Sequence, residues 1–80
     1  MSDPQDVEAI VASIRPLLNG QPMEVQGAVL ADLLATFLAG HVVIGDPEET
    51  RALRAGLLDL HIRLVRDLIE LNAQAMGTNK

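Results

Sequence analysis

Two histidines are the residues of this chain best equipped for chemistry, because imidazole exchanges a proton near neutral pH and ligates metals through either ring nitrogen. His61 is surrounded in sequence by Leu57, Leu58, Leu64 and Val65, which places it in the middle of an apolar arc if the stretch is helical. That position suits a proton switch, or a contact to a ligand held in a pocket with Phe37 and His41. It also suits a structural imidazole hydrogen-bonded to a carbonyl or to an acid such as Asp32, and for a lone histidine this second role carries more weight. His41 falls near the end of a helical pattern, where a cation complements the helix dipole. The pair forms no H-x-x-x-H, H-E-x-x-H or E-x-x-H arrangement, so no metal ligand is assigned.

The other chemical groups are explained by position. Glu48-Glu49 is the sole pair of adjacent carboxylates, and it stands in a helix's first turn, where capping and the dipole favour acids. Ser2, Ser13, Thr36, Thr50 and Thr78 occupy no nucleophile-elbow context. There is neither a phosphate-binding glycine loop nor a dinucleotide fingerprint. No catalytic residue, cofactor-binding residue or cofactor is assigned, and the chain is expected not to be an enzyme.

Arg51, Arg54, Arg63 and Arg66 could line a basic stripe. Non-specific nucleic-acid binding needs several uncompensated cations, and here acids intervene while the net charge is −5. Phe37 is the only aromatic residue, which also removes base-stacking platforms. Nucleic acid is therefore not expected as a partner. The charge is uneven: the first fifty residues hold one base against eight acids, the last thirty hold five bases against three.

These groups are positioned by three helical patterns. Asp3 caps the first and Pro4 takes its first position, with Val7, Ile10, Val11, Ile14 and Leu17 or Leu18 on one face. Pro16 should kink or end this helix near Ile14–Arg15, although the whole pattern runs over 4–18. Asn19-Gly20-Gln21-Pro22 reads as a turn. The second helix should run over 22–43, with a large-residue face (Leu30, Leu33, Leu34, Phe37, Leu38, His41) and a small-residue face (Gly27, Ala28, Ala31, Ala35, Ala39). Asp46-Pro47-Glu48-Glu49 is the strongest start signal in the chain: a cap, a proline at the first position and a capping-box glutamate. The third helix, over 47–76, carries a row of leucines at 53, 57, 60, 64, 68 and 71. A second apolar row holds Leu58, Ile62, Val65, Ile69 and Met76. Its polar side holds Asp59, Arg63, Arg66, Asp67, Glu70 and Gln74, spaced to pair with one another. Met76-Gly77-Thr78-Asn79-Lys80 reads as a stop followed by a frayed tail, the tail over 77–80.

The expected fold is all-α: a three-helix antiparallel unit, a single domain over 1–80, whose long C-terminal helix completes its core by oligomerisation. Thirteen leucines, seven valines and five isoleucines give more apolar surface than one short, proline-interrupted helix can cover. A chain of eighty residues without cysteine has no disulfide staple, and small folds commonly turn to association instead. The expected interface is Leu57, Leu60, Leu64, Leu68 and Leu71. In size and pattern the chain resembles the small free-standing helical proteins of bacteria, a resemblance that carries no residues across.

The leading functional expectation is a non-enzymatic interaction or regulatory protein that pairs with itself and binds a partner protein. One alternative is a ligand or sensor protein using Phe37, His41 and His61. Another is a membrane-associated helical protein. The stretch from Gly27 to Ile44 tests that last idea: it is eighteen residues long and strongly apolar, but Asp32 and His41 are costly in lipid. It also lacks aromatic belts and flanking Lys/Arg clusters. With an acidic N-terminus unlike a secretory signal, the chain is expected to be cytoplasmic.

Overall fold

The computed structural model describes residues 3–78. It contains three helices, α1 (Pro4–Leu18), α2 (Met23–Ala39) and α3 (Pro47–Met76), and no strand among the described residues. The expectations placed on Met1, Ser2 and the last two tail residues lie outside that range. The chain divides into two compact units, the first ending at Leu33 and the second beginning at Leu34, and each is described by itself.

In the first unit, Asp3 caps α1: its carboxylate accepts from the Gln5 N–H at 2.9 Å, and Pro4 follows at the start of the helix. Pro16 does not end the helix, which continues to Leu18. Of the kink or end expected near Ile14–Arg15, the end does not occur, because the proline lies in the last turn. There it forfeits a single backbone bond, and the Asn19 N–H still closes onto the Arg15 carbonyl at 2.9 Å. Gly20 then takes a left-handed conformation at φ 86°, which a residue with a Cβ adopts only at a cost. The Pro22 carbonyl accepts from Val25 and Gln26, both at 3.0 Å, so Pro22 is the cap of α2 rather than its first residue.

Gly27 sits inside α2, and a Cβ placed there meets nothing within 4 Å. Glycine in a helix interior costs about 1 kcal/mol relative to alanine. Gly27→Ala is accordingly expected to stabilise the chain by about 0.5–1 kcal/mol, read as a rise in the urea midpoint at unchanged slope. A loss of stability instead would mean that another backbone needs that space.

In the second unit α2 ends at Ala39, four residues before the expected 43. The Gly40 N–H still reaches Thr36, but the His41 N–H bonds to Leu38, a tighter three-residue spacing typical of a helix end. The β-branched run Val42-Val43-Ile44 then leaves the helix, and Gly45 turns the chain at φ 80°. Asp46 caps α3, accepting from the Glu49 N–H at 2.9 Å. The capping box is only half made, because the Asp46 N–H is spent on the Val43 carbonyl at 3.1 Å. At the far end Gly77 is left-handed, its N–H bonds to Gln74, and the Thr78 N–H bonds to Ala73, the paired bonds of a Schellman stop.

Few of the described residues are buried. Leu38, 9% exposed, is the buried apolar residue and Thr50, 8% exposed, the buried polar one, among the described residues.

Candidate functional site

Within the second unit the end of α2 and the start of α3 run antiparallel, because Phe37 meets His61 while Ala39, two residues later, meets Arg54. Two α3 side chains fix this hairpin. The Thr50 hydroxyl accepts from the Val43 N–H at 2.9 Å, and lies 2.9 Å from the Asp46 carbonyl and 3.2 Å from that of Val43. One turn further on, Arg54 donates from Nε to the His41 carbonyl at 3.1 Å and from Nη2 to the Ala39 carbonyl at 2.9 Å. A helix end leaves carbonyls without intrahelical donors, and a guanidinium both satisfies them and opposes the negative end of the dipole. Arg54 is therefore a cap on α2, not a member of a free basic stripe.

Phe37, His41 and His61 are brought together. The Phe37 ring meets His41 edge-on at a centroid distance of 4.8 Å and His61 at 5.3 Å. Each histidine places Nδ1 against the carbonyl four residues back: His41 at 2.8 Å from Phe37, His61 at 2.7 Å from Leu57. A carbonyl only accepts, so Nδ1 carries the proton in both rings and Nε2 is the acceptor of the neutral form. The carbonyl partner anticipated for His61 is thus one from its own helix.

This cluster has one acceptor nitrogen per ring to offer, and nothing around it supplies a third ligand: no group of three or more His, Asp or Glu able to hold a metal occurs among the described residues. Two open depressions lie among the described residues, and Phe37, His41 and His61 line neither. One, of about 450 Å³, lies over the α2–α3 connection beside Thr50, Arg51 and Arg54. The other, of about 440 Å³, lies on α3 between Val65 and Thr78. No helix among the described residues is long and apolar enough to cross a membrane.

Comparison with family models, with curated proteins and with solved structures finds no match. The site must be argued from its residues alone.

The leucine row of α3 is the most extensive chemical feature that remains. Leu57 is half-buried, whereas Leu60, Leu64, Leu68 and Leu71 are exposed, Leu64 to 52% and Leu71 to 61%. The hydrogen bonds and ring contacts that join the end of α2 to α3 in this unit fall on Arg54 and His61. Beyond His61, fifteen more residues of α3 continue to Met76. Sequence reasoning found this row and missed the Thr50–Arg54 clamp. The available signal was a polar pair one turn apart, facing a connection whose β-branched residues leave backbone groups in need of partners.

Proposed function

We propose that this protein acts by binding rather than by catalysis, as a helical module that associates with a second copy of itself through α3 and presents the resulting bundle to a partner protein. The observation that carries the reading is the exposed leucine row, Leu60, Leu64, Leu68 and Leu71, on a helix that outruns its neighbour in the same unit. Water-exposed apolar rows of this length are unusual on a chain that stays alone.

Apolar burial is the dominant favourable term in association, and the second apolar row of α3 adds to what is on offer, with Val65 50% and Ile69 58% exposed. Residual apolar residues on α1, among them Val7, Ile10 and Leu17, offer a helix face of the kind that docks into another protein's groove.

Sedimentation or light scattering across micromolar concentrations tests the core of this reading. The expected mass is twice the 8.6 kDa of one chain, or a higher multiple, falling as the protein is diluted. A monodisperse 8.6 kDa particle that unfolds cooperatively would overturn it.

A further inference from the structure

Resting on that self-association, we infer that the second copy lies antiparallel along α3, about a two-fold axis at Leu64, with Arg63 of each copy facing Asp67 of the other.

The row is spaced symmetrically about Leu64. Leu53, Leu57, Leu60, Leu64, Leu68, Leu71 and Ala75 follow one another at intervals of four, three, four, four, three and four. Those intervals read the same in both directions from Leu64. A two-fold axis there sets Leu60 opposite Leu68 of the second copy and Leu57 opposite Leu71, with Leu64 on the axis against itself. Every knob meets an apolar partner, the condition for a packed helix seam.

Charge favours the same arrangement. At 3.6 residues per turn, Thr50, Arg54 and His61 lie about 40–80° to one side of Leu64, and Asp67 and Arg63 about 60–100° to the other. The first flank is the one that meets α2 and the connection after it. In an antiparallel two-fold pair, like flanks face one another. Arg63 then stands about 3 Å along the axis from Asp67 of the second copy, twice over. A parallel pair would set unlike flanks together, pressing Asp67 against the Val65 and Leu68 side of the second copy, where a desolvated carboxylate is costly.

Val65, Leu68, Ile69 and Met76, among others, line the depression of about 440 Å³. It lies on the flank of α3 that meets α2 at His61, further toward the C-terminus. The antiparallel axis brings His61 of the second copy level with Asp67, and Phe37 stands on His61. The half-exposed Phe37 ring of each copy therefore comes over the depression of the other.

Because the chain has no cysteine, single thiols report the geometry. Leu64→Cys is expected to form a disulfide-linked dimer on mild oxidation. Leu57→Cys and Leu71→Cys should each stay unlinked alone and link when mixed. If all three link with themselves the pair is parallel, and the inference falls. A wild-type dimer in which none of them links uses another face, which overturns the inference and leaves self-association standing; a wild-type monomer overturns both. For the rim, Arg63→Asp is expected to raise the dimer Kd about tenfold. Adding Asp67→Arg should restore most of it, and a double variant as weak as the single one would remove the Arg63–Asp67 pairing.

Discussion

Leu64→Asp is expected to leave the chain monomeric at concentrations where the wild type is wholly associated, with a weakening of at least a thousandfold. Leu64 stands midway along the leucine row and is 52% exposed in the single chain, so the substitution adds no strain within the chain. Aspartate is also a poor helix former, but only by a few tenths of a kcal/mol. The large term arises on association, where two carboxylates would meet on the axis with no cation opposite them. Burying an unpaired charge costs several kcal/mol, and the symmetry counts it twice. Two controls isolate the cause. Leu64→Ala removes apolar contact without adding charge and should weaken association less, by about 1 kcal/mol per copy. Arg66→Ala lies on the far side of α3, where an exposed ion pair is worth at most about 1 kcal/mol, and should leave the mass unchanged. The readout is mass by light scattering together with helix content by circular dichroism. A Leu64→Asp variant that associates as tightly as the wild type would place the interface elsewhere.

That expectation grew from the sequence, and the reason it could lies in which features are local. The starts of α1 and α3 were legible because Asp3-Pro4 and Asp46-Pro47 each combine a capping side chain with a fixed φ, and neither needs a distant partner. Gly77 was legible as a stop for the same reason. The end of α2 was not. Gly40, the β-branched run Val42-Val43-Ile44 and Gly45 disfavour helix by only about 1 kcal/mol or less each, so they do not fix at which residue it ends. The helix ends at Ala39 because His41 and Ala39 give their carbonyls to Arg54, and Val43 gives its N–H to Thr50. Those partners lie seven to fifteen residues away, beyond the reach of periodicity. The same distance explains why Arg54 read as a surface cation. The cluster of Phe37, His41 and His61 was legible in part: the wheel put Phe37 and His41 on one face, and His61 on an apolar arc. The carbonyl bonds that orient both imidazoles follow only from the folded backbone.

The clamp that the sequence hid carries the second large effect, and it acts within one chain. Thr50→Val keeps the shape of the side chain and removes its hydroxyl. A hydroxyl has one proton and two lone pairs, and here it accepts from the Val43 N–H while donating toward the Asp46 or the Val43 carbonyl. The Asp46 carbonyl keeps the Thr50 N–H at 3.0 Å, so the group left without a partner is the Val43 N–H, in a partly buried position. Stranding a donor there costs its desolvation, about 1–3 kcal/mol. A chain of this size loses about 4–8 °C of Tm for each kcal/mol, so Thr50→Val is expected to lower Tm by at least 4 °C. Thr50→Ser keeps the hydroxyl and should fall by less. Arg54→Met strips the α2 cap while retaining an apolar stem, and combined with Thr50→Val it should cost less than the two losses added, because both act through the same 40–46 connection. Hydrogen exchange localises the effect: protection of the Val43 amide is expected to collapse in Thr50→Val while amides in the middle of α3 keep theirs. Should Thr50→Val leave both Tm and the Val43 amide unmoved, the connection is held by its Asp46 cap and Gly45 turn alone, and Thr50 is buried without bearing on stability.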